Sequence, residues 1–224
     1  MKQETFEVLA KMFSIANNTE GDSISVELVL DHLKRMTVLE LLPSKIGKFD
    51  LWDVTTKDGV YASIYYKGGF AYATNTRTLF KIRSEYDSNL EEKKVFKDGK
   101  IREGMRMVYE DTIATSKARL GEKKRGMKLD MARLKEVDKE VRALKKILGR
   151  DFCPIISFKG RVYYKYEDLL NFFKFMETFG IESFDYYSGE ESLVPSIAES
   201  DNGCIGVIMP LSGDFRQRRD VIKW

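Results

Sequence analysis

Histidine is almost missing from this chain of 224 residues: His32 stands alone, which excludes every mechanism that needs a pair of imidazoles. Cysteine is nearly as scarce. Cys153 and Cys204 lie far apart, with no neighbouring cysteine or histidine to complete a metal site. No apolar N-terminal segment of the signal-peptide kind is present, so the expectation is a cytoplasmic protein with both thiols reduced. No apolar run approaches the roughly 18 residues of a membrane span, and no membrane partner is expected. The sequence also lacks a glycine-rich phosphate loop, a nucleophile with a base beside it, and a cluster of metal ligands; no cofactor or metal is expected. Low-complexity tracts and Pro/Gly/Ser linkers are absent too, so one domain is predicted over 1–224.

What is present suits a packed core: 43% of residues are hydrophobic and 12% aromatic. Lys and Arg number 38 against 35 Asp and Glu, and a net charge of +3 is too mild to define a nucleic-acid binder. The distribution says more. Residues 117–150 carry 13 Lys and Arg against 5 Asp and Glu, so positive charge is segregated into one stretch.

Periodicity predicts two helices in 1–45. Phe6, Leu9, Ala10 and Phe13 follow helical spacing, and a second run has Ser25 as its cap and Pro43 near its stop. The texture then changes to short β-rich runs over 47–82, separated by the turn signals Lys57-Asp58-Gly59 and Lys67-Gly68-Gly69, which predict a three-stranded meander. Residues 83–115 read as polar and irregular, with a turn at Asp98-Gly99. Over 116–150, Met127, Met131, Leu134, Val137, Val141, Leu144 and Leu148 recur every three or four residues and predict one long basic amphipathic helix. A strand and turn, a helix ending at Gly180 and three more strands fill 151–211. This order predicts an α+β fold: an antiparallel sheet with helices on one face and a long basic helical insertion. The two β-rich halves raise a structural repeat, although no residue-level repeat is visible.

The stretch VYASIYYKGGFAYATNTRTLFKI (60–82) resembles the strand, turn, strand, helix segment of bacterial DNA sliding clamps, the processivity subunit of the replicative polymerase. In that family an Ala-Thr-Asp-Gly-His-Arg-Leu type of sequence follows the second strand; here it reads Ala73, Thr74, Asn75, Thr76, Arg77, Thr78, Leu79. KYEDLLNFFKFMETFGIESFDYY (165–187) is similar to the clamp's helix and following strand, and GCIGVIMPL (203–211) to its closing strand. The resemblance covers roughly 47–82 and 155–211. Asn75 and Thr76 replace the family's Asp and Gly, its His is absent, and the chain continues past Pro210.

The resemblance implies a clamp-like fold and a non-enzymatic, DNA-associated role, with duplex DNA and replication proteins as partners. Clamp rings use six such units, so one unit implies a homo-oligomer or loss of ring closure. It also implies that Val207, Met209, Pro210 and Leu211 line an apolar groove that receives short peptide segments. The alternative for that stretch is a buried terminal strand. From the residues themselves, Lys117, Arg119, Lys123, Lys124, Arg125 and Lys128 are the candidates for phosphate-backbone contact, against a plain solvated helix face. Thr74 or Asn75 is expected to cap a short helix, with Leu79, Phe80 and Ile82 returning to the core. Two other functions stay open: a protein-interaction module pairing through the 127–148 stripe, and a metal-dependent nuclease assembled from dispersed carboxylates.

Overall fold

The computed structural model describes residues 44–103, 109–149, 152–158, 162–187, 193–213 and 221–224, with the side chain of Lys123 excluded. The two helices expected in 1–45, with Ser25 and Pro43, lie outside the described residues, as does His32. The chain divides into two compact units. One comprises 1–42 with Lys97–Lys100, of which only that turn is described; there the Asp98 carboxylate accepts from the Lys100 N–H at 3.1 Å. The other comprises 43–96 and 101–224 and is the body described below.

This body is mixed α and β, dominated by one large antiparallel sheet. Its strands are β1 (Lys45–Ile46), β2 (Phe49–Asp50), β3 (Ser63–Lys67), β4 (Phe70–Thr74), β5 (Thr78–Arg83), β6 (Lys93–Phe96), β7 (Ile101–Glu103), β8 (Lys124–Lys128), β9 (Ile155–Phe158), β10 (Val162–Lys165), β11 (Ser183–Tyr187), β12 (Ser196–Glu199), β13 (Ile205–Ile208) and β14 (Val221–Lys223). Its helices are α1 (Tyr109–Leu120), α2 (Met131–Leu148) and α3 (Tyr166–Thr178). Nine strands form the main sheet in the order β7-β6-β3-β4-β5-β13-β12-β11-β8. Each half supplies a meander, β3-β4-β5 and β11-β12-β13, and the last strands of the two meet at the centre, with Leu79 opposite Val207 and Phe80 opposite Gly206. The strand order of one half mirrors the other. A small second sheet runs β10-β9-β14.

The alternation of the strands decides what each face packs against. Tyr65, Tyr72, Leu79, Ile197, Ile205 and Val207 point to one face and form a core with Tyr109, Ile113 and Leu120 of α1. Ala71, Ala73, Phe80, Ile82 and Gly206 are fully buried or nearly so on the other, where α3 lies. Phe175 of α3 reaches Phe80 at 5.1 Å and Phe49 at 5.6 Å between ring centroids. Gly206 is the condition for that approach, since a Cβ there would stand 2.9 Å from the Phe175 ring. The helices therefore cover both faces. The expectation of helices on one face fails because Tyr109, Ile113 and Leu120 pack α1 against the tyrosine-rich side, opposite α3.

The long basic helix is also corrected. Residues 116–148 form the end of α1, a single 3-10 turn at Gly121–Lys123, strand β8 and then α2. Gly121 adopts φ +46° and breaks the helix, and the sheet captures KRGMK as an edge strand along β11. Asp130 restarts the helix by accepting from the N–H groups of Ala132 and Arg133 at 3.0 and 2.9 Å. The predicted stripe survives only within α2, where Leu134, Val137 and Val141 are buried in the chain itself. Two further segments differ. The first expected strand of the 47–82 meander is a 3-10 turn at Leu51–Val54, packed through Leu51 and Val54, and the supposedly irregular 83–115 contains β6, β7 and most of α1. On α3, Phe172, Phe173, Phe175 and Met176 are at most 1% exposed.

Candidate peptide-docking pocket

Between β4 and β5 the chain must reverse in three residues, and Asn75 organises the reversal. Its side-chain Oδ1 accepts from the N–H of Arg77 at 3.0 Å, the N–H of Thr78 at 2.8 Å and the Thr78 hydroxyl at 3.0 Å. The Thr74 hydroxyl donates to the Thr78 carbonyl at 2.6 Å and accepts from the Thr76 N–H at 3.1 Å. These bonds hold Thr76 at φ +76°, a left-handed conformation that a β-branched residue rarely adopts. The expected helix cap is thus a hairpin turn. The same residue types that cap helices also close Asx turns, and the continuing alternation of Leu79, Phe80 and Ile82 selects a strand.

The turn is tied down from two sides. Asn75 Nδ2 donates to Asp168 Oδ1 at 2.9 Å, and the Met209 N–H donates to the Arg77 carbonyl at 2.7 Å. Burial raises the Asp168 carboxyl above its ordinary range; the bond from Asn75 and the charges of Lys165 and Arg77 act the other way.

Under this turn, on the α1 face of the sheet, lies a cavity of about 260 Å³. Leu79 and Val207, opposite each other across the central seam, belong to its lining together with Met209, Tyr61, Tyr109 and Thr112; Thr74, Thr76, Arg77 and Thr78 complete it. Its walls are mostly apolar. Tyr109 is 5% exposed, and its hydroxyl has no hydrogen-bond partner among the described residues; burial pushes its phenol far above the ordinary range. Beside the cavity, α1 is fastened to the sheet by polar contacts. Tyr72 donates to Glu110 at 2.5 Å and Lys81 pairs with the same carboxylate at 2.7 Å. Burial works to raise the Glu110 carboxyl, but the bonds from Lys81 and Tyr72 outweigh it and hold it below the usual range.

Of the groove residues implied by the resemblance, Val207 and Met209 line this cavity and Pro210 and Leu211 do not. Val207 is 2% exposed in a central strand, so it is at once a buried strand residue and part of the cavity wall. Pro210 is buried, and Leu211 is partly exposed with its N–H bonded to the Tyr163 carbonyl at 2.7 Å. The basic candidates are not gathered on one helix. Lys117 and Arg119 belong to α1, Lys123 to the 3-10 turn, and Lys124, Arg125 and Lys128 to β8. Lys117 is paired with Glu199 at 2.6 Å and Lys124 with Asp185 at 3.1 Å, which neutralises two of them. Arg119, Arg125 and Lys128 are exposed and have no ion pair among the described residues.

Tyr61, Tyr109 and Thr112 were not foreseen from the sequence. They come from a loop and from a helix inside the segment read as irregular, and only the three-residue spacing of Tyr109 and Thr112 hinted at a shared helix face. Among the described residues, no three His, Cys, Asp or Glu side chains gather as metal ligands, and no helix is long and apolar enough to cross a membrane. Comparison with known protein families and with curated proteins gives no match.

Proposed function

We propose that this chain is a clamp-like, non-enzymatic docking factor whose cavity beneath the β4–β5 turn holds a short apolar peptide segment from a partner protein. The observation that carries this reading is the convergence of Leu79, Val207 and Met209 with the Thr74–Thr78 turn on one mostly apolar cavity of about 260 Å³. These are the two stretches on which the clamp resemblance rests, and they come from opposite halves of the chain. Met209, half-buried at the end of β13, supplies an unbranched side chain that adapts to different occupants. Arg77 at the turn adds a positive charge for an acidic group beside the apolar segment. Among the described residues that line the cavity, none is a histidine, cysteine, aspartate or glutamate.

The test is binding of a labelled pentapeptide containing adjacent Leu and Phe to the full chain, compared with Met209→Glu. The reading expects at least tenfold weaker binding by the variant with an unchanged melting temperature. Equal binding by both proteins overturns it.

Duplex contact is the second reading, supported by the exposed Arg119, Arg125 and Lys128. Three phosphate contacts would give log affinity against log salt a slope of roughly −2.7. A salt series with a duplex oligonucleotide, with light scattering for mass, decides it: a flat response removes duplex contact, and a monomeric mass removes the ring.

A further inference from the structure

The nine-stranded sheet ends on β8, and no described strand lies beyond it. β8 pairs with β11 from Lys124 opposite Tyr187 to Lys128 opposite Ser183, and the ladder continues as the Leu129 N–H donates to the Glu182 carbonyl at 2.7 Å. Bonded and non-bonded pairs alternate along an antiparallel ladder. Leu129 is a bonded position, so Met127 and Arg125 also direct their main-chain groups to β11. Lys124, Gly126 and Lys128 therefore turn their N–H and C=O groups outward, to the open edge. Among the described residues nothing covers that edge: Lys124, Arg125, Gly126 and Lys128 are exposed, and a Cβ at Gly126 would meet nothing within 4 Å.

An open edge is a template for another strand, and charge decides which strand is accepted. Lysine and arginine along β8 repel a second copy of β8 or any basic segment. The same charges attract carboxylates on both sides of the strand, because Lys128 and Arg125 alternate across it. Phosphates match the edge less well: they accept from the outward N–H groups but leave the outward carbonyls unmet, whereas another backbone satisfies both.

We infer that β8 receives an acidic, extended peptide of a partner protein, added antiparallel as a tenth strand. Its carboxylates stand opposite Arg125 and Lys128, and a large apolar side chain lies over the bare Gly126. Alternate main-chain bonds supply the affinity and the flanking charges the selectivity. This edge is independent of the cavity, so either site stands if the other fails.

The experiment titrates a capped, labelled peptide of sequence Glu-Val-Phe-Glu-Glu into the full chain, with Lys-Val-Phe-Lys-Lys as control, and follows anisotropy and amide exchange. Gly126→Pro removes an N–H that faces only the open edge, a place where sheets tolerate proline. The expected results are binding of the acidic peptide alone, at least tenfold weakening in Gly126→Pro and in Arg125→Glu/Lys128→Glu, and slowed exchange of the Gly126 and Lys128 amides. If Gly126→Pro fails to fold, amide protection in the unaltered chain decides the question. Equal binding by a folded Gly126→Pro, absence of protection at Gly126 and Lys128, or binding of a duplex oligonucleotide in place of the peptide overturns the inference.

Discussion

The two faces of the central sheet are closed by different physics. On the α3 face, Phe80, Phe175 and Phe49 interlock around a glycine, and Phe172, Phe173 and Met176 of α3 are at most 1% exposed. Aromatic packing dominates that face, with the Asn75–Asp168 hydrogen bond and the Lys48–Glu177 ion pair at its margins. On the α1 face, tyrosines replace phenylalanines, and α1 is held partly by Glu110 and Lys117 reaching charged partners across the helix–sheet boundary. The cavity of about 260 Å³ lies on this side. The difference teaches where to look for function: the sealed face specifies the fold, and the polar face has room for an occupant.

Phe175→Ala should have the largest effect, because it empties a site shared by Phe49, Phe80 and Phe179. A loss of about 3–5 kcal/mol in chemical denaturation is expected. A loss no larger than that of a surface substitution would break the distinction between the faces.

Gly206→Ala tests the same face from the sheet side. One methyl group 2.9 Å from the Phe175 ring forces α3 to shift, at a cost of about 1–3 kcal/mol, while peptide binding at the cavity stays within twofold. An equal loss of stability and binding would show that the faces are not separable.

Glu110→Gln addresses the α1 face and has the smallest effect. The Glu110 carboxyl is held below its unfolded value, so its contribution is present above the unfolded pKa and is lost as pH falls through the lower folded one. The side chain is 55% exposed, which limits the contribution to about 1 kcal/mol or less. The variant should therefore melt below the unaltered chain at neutral pH, and the gap should close in acid. A gap independent of pH would remove the electrostatic part of the account.

Much of the sheet was legible in the sequence because alternation is a local signal. The strands around Gly68-Gly69, the helix ending at Gly180 and the three strands after it fall where their patterns place them. The chain from 116 to 150 was not, because heptad-like spacing ran through a strand. KRGMK has no β-branched residue or alternation, and only pairing with β11 makes it extended. The turn at Thr74–Thr78 was legible as polar punctuation and not as a turn type, since the same side chains serve both helix caps and hairpins. The cavity was half legible. Val207, Met209 and Leu79 stood out, but their meeting with Tyr61 and Tyr109 depends on which face α1 covers, and no local pattern encodes that.

Methionine labelling compares the two faces in one sample. Met209 lines the cavity, while Met176, fully buried on α3, belongs to the sealed face. With methyl-labelled methionine in the full chain, titration of the Leu-Phe pentapeptide should shift the Met209 methyl resonance and leave that of Met176 in place. A static Met209 signal, or equal movement of both, would contradict the assignment of the cavity as the docking site.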